Sequence, residues 1–587
     1  MTGAPKPNKN ATPSSPPSPK KWHIPPSTLD NAPSSDLTNP PSFIHQFLTP
    51  HEIEITETSP QGILSRTTTG QWTAVAVTEA FSHRAAVAHQ LTSCLSEVLF
   101  ESALCEARTL DAYFSQHGKP VGPLHGLPIS LKDSIDLAGV GTALGFTAWT
   151  AGPGATRGRD AVIAEGLRRQ GAVFHVKTAV PQASFAAETF GAVSGCVVNP
   201  LRWTGLSAGG SSGGEAALLA MRGSVLGLGT DIGGSIRWPA SSVGAYGLRP
   251  STGRLPYAGI ASVVGGLEAL TDVRFAVGPM AIDDVSALRT LVKAVLADEP
   301  WLRDPLVTEI PWRDDIYEAT KQQTIGKGEQ GKQLVVGIAP TDGVVTPQPP
   351  IHRAIETVAT ALRTQGHIVI PFSPSPTETE QAIDLWSKAT YADLTHAHAQ
   401  FRASGEPVNP LMPPAFDPDQ ITQNPALGTA EVQRVNVRIR KYREEYLRRW
   451  GETTHCVDNP TGRAVDVLIT PIAPYSAARV GGIRYSGYAL PVVLNDQSAA
   501  VLPVIKTDKA IDVACPLQIP EGIKDKYVRA NKKVHQDYDP ELYHGMPVNV
   551  QVIGRRFQEE KVLAITEYID GLLRGGEMEE KGTRHML

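Results

Sequence analysis

The alternation of apolar and polar positions divides the chain before any single residue is considered. From Trp72 onward, TAVAVTEAFSHRAAVAHQL and ESALCEARTLDAYFSQHG place Ala, Val, Leu and Phe at three- and four-residue intervals, the spacing of two packed helices. LPISL, from Leu127 to Leu131, is a short apolar run entered from GPLHG, which predicts a buried strand. Asp160 ahead of AVIAEGLRRQG predicts a capped helix, and AVFHVK predicts the next strand. The alternation recurs in IDDVSALRTLVKAVLA, QLVVGIAP, IHRAIETVATALRTQG and HIVIPF, and the chain closes on DVLITP, PVNVQVIG and the helix QEEKVLAITEYIDGLL. Helices between short β-branched runs predict an α/β fold, a single large domain with a central mixed β-sheet covered by helices on both faces.

The ends of the chain break this pattern. Positions 1–40 carry ten prolines and almost no aliphatic residues, too little apolar surface to offset the entropy of ordering, so residues 1–42 read as a disordered arm. Residues 43–575 then form the folded body and 576–587 a flexible tail. The polar helix AEVQRVNVRIRKYREEYLRRW follows a Pro-rich loop from Gly405 to Pro425; its Arg and Glu residues at i,i+3 and i,i+4 spacing read as a solvated face. A smaller subdomain around residues 370–450 fits within the same domain. The 587 residues could hold about four domains, but no internal repeat supports that division.

Composition narrows the chemistry. The 54 basic and 59 acidic residues leave a formal charge of −5, which gives no electrostatic footprint for nucleic acid. Five scattered cysteines without a CxxC pair make neither a disulfide framework nor a zinc set. With no apolar signal segment in MTGAPKPNKN and no run of about 18 apolar residues, the expectation is a cytoplasmic protein without a membrane span.

Glycine is concentrated between Leu206 and Pro250, in LSAGGSSGGEAALLAMRGSVLGLGTDIGGSIRWPASSVGAYGLRP. A phosphate loop would need Lys-Ser/Thr after GGSSGGE, or an acidic residue about twenty positions past a GxGxxG, and has neither. Gly205 to Gly209 matches GxSxG around Ser207, but NPLRWT ahead of it is a poor strand, so the match reads as accidental. Ser212-Gly213-Gly214-Glu215 is an S-x-x-E capping box and explains part of the motif without chemistry. It does not explain Asp231-Ile232-Gly233-Gly234-Ser235-Ile236-Arg237, where two glycines before a serine let consecutive amides converge beside a potential nucleophile. A serine nucleophile needs a base. No histidine lies in either cluster, and His125, at another glycine-rich strand entry, reads as a packed or loop residue. Lys132, closing LPISLK, stands out as the alternative, although a strand-end lysine can equally snorkel to water.

Three segments in register, GPLHGLPISLKDSIDLAG, GLSAGGSSGGEAAL and GTDIGGSIRWPASSVGAYGLRPSTGRLPY, resemble the amidase signature family, and specifically its fungal acetamidase-like branch. Weaker similarity covers roughly residues 70 to 575. The resemblance implies the amidase signature fold and a Ser-Ser-Lys triad, with Ser235 as the acyl-forming nucleophile, Ser211 as a bridging serine behind a cis peptide with Gly210, and Lys132 as the base. It further implies that the amides of Ile232, Gly233, Gly234 and Ser235 form an oxyanion hole and that Ser184, in PQASFAAETFG, borders the acyl pocket. Asp133 would point away from Lys132 and be structural, and Asp231 and Arg237 would form a buried pair. GIRYSGYALPVVLNDQSAAVLPV departs from the family pattern at the distal pocket.

The implied reaction is hydrolysis of a neutral carboxylic amide to an acid and an amine or ammonia, with no metal or organic cofactor, a small-molecule amide as partner, and a homodimer compatible with the resemblance. Acyl transfer to an amine on the same triad is the alternative, and a non-catalytic scaffold is disfavoured by the presence of all three triad positions. The mechanism makes one demand on the fold. A lysine at its reference pKa of about 10.4 is neutral in only about one molecule in 2,500 at pH 7, so Lys132 has to be buried.

Overall fold

The computed structural model describes residues 19–30, 33, 36–38, 43–150, 156–325, 333–420 and 425–584. Its strands are β1 (Leu95–Val98), β2 (Pro128–Lys132), β3 (Val173–Thr178), β4 (Phe190–Gly191), β5 (Gly195–Cys196), β6 (Leu226–Asp231), β7 (Tyr246–Arg249), β8 (Ala276–Ala281), β9 (Val335–Ile338), β10 (Ile368–Pro371), β11 (Val467–Pro471), β12 (Ala499–Lys506) and β13 (Pro547–Ile553). Except for the β4–β5 ribbon they join one sheet in the order β1-β3-β2-β6-β8-β7-β12-β13-β11-β9-β10. The sheet is mixed: β3, β2 and β6 run parallel, as do β11, β9 and β10, and antiparallel pairs connect the two groups. The α/β architecture expected from the sequence is therefore present.

The side-chain alternation of β2 sorts its residues to two faces. Ile129 and Leu131 join the largest core cluster, with apolar residues of the helices Val162–Arg169, Val285–Ala297, Pro349–Thr364 and Glu559–Arg584. Ser130 and Lys132 face the other way and are fully buried, under the helix Gly213–Ala220. The strand thus presents polar side chains to a face closed off from the surface, where the protein supplies them with partners.

A second cluster brings the 370–450 region onto the same end of the sheet. Leu385, Trp386, Leu394, Phe401, Phe416, Val435 and Ile439 pack with Leu144, Phe146, Ala186 and Ile232. The helix Thr429–Glu452 buries Val432, Val435, Ile439, Tyr442 and Trp450, while Arg448 pairs with Glu445 and Glu452 at the surface, as its pattern predicted.

Two local expectations need correction. Asp160 does not cap the helix Val162–Arg169, whose N-cap is Ala161 without a side-chain bond; its carboxylate accepts instead from the Ala138 amide at 2.8 Å and from Arg168 Nε at 3.1 Å. The arm is not wholly extended into solvent either. Residues 1–18 lie outside the described residues, but Trp22, Ile24 and Leu37 are buried in the cluster formed with Ala85 to Leu91 and Phe100. These few apolar residues suffice because each is met by a preformed partner. The Gln90 side chain accepts from the Ile24 amide at 2.8 Å and donates to the Trp22 carbonyl at 2.9 Å, and the Trp22 ring stacks on His83 at 5.0 Å. At the other end, the helix runs to Arg584; residues 585–587 lie outside the described residues.

Trp22→Ala is expected to lower stability by about 3 kcal/mol, the cost of emptying a core aromatic site, in urea unfolding followed by fluorescence. Lys20→Ala, at an exposed neighbouring position, is expected to leave the midpoint unchanged.

Candidate active site

The site is built where β2 and β6 end side by side. Lys132 closes β2, and its Nζ lies 2.7 Å from Ser211 Oγ and 2.8 Å from Thr230 Oγ1 on β6. No accessible surface remains on Lys132, and no carboxylate oxygen of a described residue comes within 4 Å of it. Burial lowers its pKa from the ordinary lysine value to about 7, against weaker upward pulls from Asp231, Asp133 and Glu215. Two hydroxyl partners suit an uncharged amine, which can donate to Thr230 and accept the Ser211 proton. Lys177 on β3 is a second buried lysine, but its Nζ is taken by the Gly141 carbonyl at 2.6 Å and Thr142 Oγ1 at 2.8 Å. Of these two lysines only Lys132 meets a serine.

The surrounding carboxylates are occupied elsewhere. Asp133 Oδ2 accepts from the Leu144 amide at 2.7 Å. Burial would push the Asp231 carboxyl up, but Arg237, Arg249 and the Gly234 amide together hold it below the usual carboxylate value. Arg237 contacts Asp231 through Nε at 3.0 Å and is itself fully buried, with further donations to Gln551 Oε1 at 3.0 Å and the Ala489 carbonyl at 3.1 Å. Burial raises the Glu215 pKa to about 7, opposed by hydrogen bonds from Ser130 and Thr178 and by Lys132.

Glu215 corrects the capping-box expectation. Ser212 is the N-cap of the helix Gly213–Ala220 but makes no side-chain cap bond. Glu215 turns inward and accepts from Ser130 on β2 and from Thr178 on β3 at 2.9 Å. The reason is burial: this helix start abuts the sheet, so Thr189 Oγ1 accepts from the Gly213 amide at 3.1 Å and the Ala179 carbonyl from the Gly214 amide at 3.2 Å. The orphan amides of the first turn are satisfied by loops, and the glutamate is free to tie two strands together.

Ser211 follows a cis peptide with Gly210. Ser184, expected at the acyl pocket, places its hydroxyl 3.3 Å from Ser211 Oγ. Ser235 lies in the loop between β6 and the helix Arg237–Val243 and is half-buried. Its carbonyl accepts from the Ser212 amide at 3.3 Å, which ties the two serine loops together, while its hydroxyl carries no hydrogen bond among the described residues. The expected set of oxyanion donors is reduced by one. The Gly234 amide donates to Asp231 Oδ1 at 2.7 Å and is not free, because the carboxylate that anchors the loop reaches over it. The amides of Ile232, Gly233 and Ser235 have no acceptor among the described residues. Trp386, which sequence reasoning missed, fixes this loop by donating from Nε1 to the Ile232 carbonyl at 2.7 Å. Ser207 of the GxSxG match is buried, accepts from the Gly209 amide at 3.1 Å and hydrogen-bonds the Glu188 carboxylate. His125 is likewise a packed residue, accepting from the Val121 amide at 3.2 Å.

A buried lysine, a serine behind a cis peptide and a second serine loop whose amides have no acceptor among the described residues thus meet at one end of the mixed sheet. The chain belongs to the amidase signature family: the Amidase family model matches residues 76–563, and the protein is an amidase, as the sequence resemblance implied. An acetamidase of Aspergillus oryzae is 42% identical over 527 residues, covering 90% of this chain and 91% of that protein. An acetamidase of Emericella nidulans is 41% identical over 523 residues, covering 89% and 90%. Among solved structures, a fatty acid amide hydrolase superposes with a TM-score of 0.80 at 29% identity, covering 94% of this chain and 92% of that one. Among the described residues no helix is long and apolar enough to cross a membrane.

Two substitutions check this electrostatic picture. A Cβ on Gly227 would collide with the Glu215 carboxylate and with Ser130 Oγ, so Gly227→Ala is expected to cost about 2–3 kcal/mol in urea unfolding. Lys132→Met is expected to stabilise the protein at pH 6. The folded lysine titrates near 7 and the unfolded one near 10.4. Between those values the unfolded wild type binds the extra proton, so wild-type stability rises with pH by up to about 1.4 kcal/mol per unit. The advantage of the methionine variant should therefore shrink steadily between pH 7 and pH 10.

Proposed function

We infer that this amidase hydrolyses small neutral carboxylic amides through an acyl-enzyme on Ser235, with Ser211 and Lys132 as the proton relay. The observation that carries this reading is the 2.7 Å contact between Lys132 Nζ and Ser211 Oγ, with both groups buried. Neutral Lys132 takes the Ser211 proton as Ser211 takes that of Ser235, whose oxygen bonds to the amide carbonyl carbon. The free amides of Ile232, Gly233 and Ser235 receive the oxyanion, each such donor being worth about 3–4 kcal/mol. Ser211, resupplied by Lys132, protonates the departing amine, and water then releases the acid by the same route. The hydroxyl of Ser235 must turn toward Ser211 when substrate arrives, a tightening common between free and occupied sites.

A neutral substrate is supported by the apolar packing around the Ser235 loop. Trp386, Leu490, Ile232, Ala186 and Leu144 belong to the apolar cluster that includes the nucleophile loop. The acetamidase relatives favour a short acyl group, whereas the fatty acid amide hydrolase likeness makes the long-chain amide the natural counter-test. We propose further that the protein is cytoplasmic and forms a homodimer, which imaging and sedimentation would check.

With a lysine that titrates near 7, kcat/KM for acetamide should fall about tenfold per unit below pH 7, where Lys132 is charged and no longer a base. Above that value it should plateau, with long-chain amides turned over more slowly. Lys132→Met should lose at least about a thousandfold in kcat. A fluorophosphonate probe should label wild type and Ser207→Ala but not Ser235→Ala. The reverse labelling pattern would move the nucleophile to Ser207, and product formed only with an added amine acceptor would favour acyl transfer.

A further inference from the structure

The turn Pro181–Ser184 holds its backbone in a conformation that its residues do not favour. Ala183 and Ser184 both have positive φ, 60° and 57°, a left-handed region that is uncommon outside glycine and persists where the surroundings over-determine it. Those surroundings are visible. The Ala183 amide donates to the Leu144 carbonyl and the Ser184 amide to the Pro181 carbonyl, each at 2.8 Å. Gln182 Oε1 accepts from the Asn409 amide at 2.8 Å, which fastens the turn to the 405–425 loop. Gly145 lets the two backbones touch, since a Cβ there would lie 2.6 Å from the Gln182 nitrogen. The product of these restraints is one side-chain direction, with the half-buried Ser184 hydroxyl donating to Ser211 Oγ at 3.3 Å.

Ser211 Oγ has one proton and two lone pairs. In the relay its proton goes to Lys132 and one lone pair receives the proton of Ser235. The Ser184 donation fills the second lone pair. The geometry points to Ser184 as a fourth catalytic group and third hydroxyl, which steadies the negative charge that builds on Ser211 Oγ whenever its proton leaves for Lys132 ahead of the one arriving from Ser235. At 3.3 Å the bond is weak in the resting site, beyond the usual 2.5–3.0 Å for hydroxyl pairs. It gains strength only as charge develops, and such a difference between ground and transition state is what accelerates a step. The role rests on the triad reading above and adds to the pocket-bordering role expected for this residue.

Phosphonylation by a fluorophosphonate isolates the step concerned. The Ser235 oxygen bonds to phosphorus, the phosphorus–fluorine bond breaks, fluoride leaves without needing a proton, and the serine proton passes through Ser211 to Lys132. Ser184→Ala and Ser184→Gly in the full-length protein both remove the hydroxyl, and glycine does so while relaxing the positive φ, so its thermal midpoint should equal or exceed that of wild type.

Both variants are expected to be phosphonylated about tenfold more slowly, the size of one hydrogen bond to a group gaining charge, and to show a matching fall in kcat on acetamide with KM little changed. The acid limb of the rate should also move to higher pH by about half a unit, because Ser211 Oγ freed of one donor accepts better from the Lys132 ammonium and favours its charged form. If the alanine variant does not fold, the glycine variant decides. Wild-type rates, a change in KM alone, or a slower rate with an unmoved pH limb would each overturn the assignment. Lys132→Met labelling as fast as wild type would instead show that the triad reading itself had failed.

Discussion

Keeping the amine of Lys132 away from water is the constraint on which the rest of the site depends. The shift from the ordinary lysine pKa to about 7 corresponds to on the order of 5 kcal/mol of disfavoured charge, which the fold sustains by placing the residue on an interior strand between two parallel neighbours. Burial alone would not be enough if a carboxylate were in contact, because an ion pair would restore the charge. The three nearest carboxyl groups are therefore diverted: Asp133 to the Leu144 amide, Asp231 to Arg237 and the nucleophile loop, Glu215 to two strand hydroxyls. Arg237 has an electrostatic effect in addition to its structural one. By neutralising Asp231 it weakens the upward pull on Lys132.

The same diversion explains where the glycines went. Gly227 leaves room for Glu215 between β2 and β6, and Gly229 leaves room for Ser212 Oγ, which a Cβ would meet at 2.9 Å. Gly210 lets the Ser211 loop touch the Ala186 carbonyl, where a Cβ would lie at 2.8 Å. Some of these residues adopt positive φ, but at Gly210, Gly227 and Gly229 it is the space that matters. The loop bearing Ser211 can approach the strand bearing Lys132 only if several intervening positions have no side chain, and this accounts for glycine clustering beside two serines.

What was legible in the sequence follows from distance along the chain. Period-two and period-three-to-four patterns located the strands around Lys132 and the helices that cover them, and the serine loops stood out by local composition. The roles of Lys132, Ser211 and Ser235 were not readable from pattern and came from resemblance. The capping box failed because S-x-x-E describes a helix start in water, whereas this one is pressed against a sheet that takes the glutamate. Thr230, Trp386 and Gln551 were invisible because they reach their partners across 98, 154 and 314 residues. The buried Trp22 was hidden by the prolines around it, since composition averages over a segment while burial is decided by a few side chains with prepared partners.

Exposure changes along the proposed relay in a way that its chemistry would require. Ser235 is half-buried, whereas Ser211 is nearly closed off and Lys132 fully so. The nucleophile has to be reached by substrate and later by water, while the base has to stay away from water or it would be charged and useless near neutral pH. A single residue cannot meet both conditions, and a lysine close enough to touch Ser235 directly would share its exposure. In the proposed mechanism the interposed serine resolves the conflict by carrying a proton between a wet oxygen and a dry nitrogen, so a bridging residue follows from using lysine as the base.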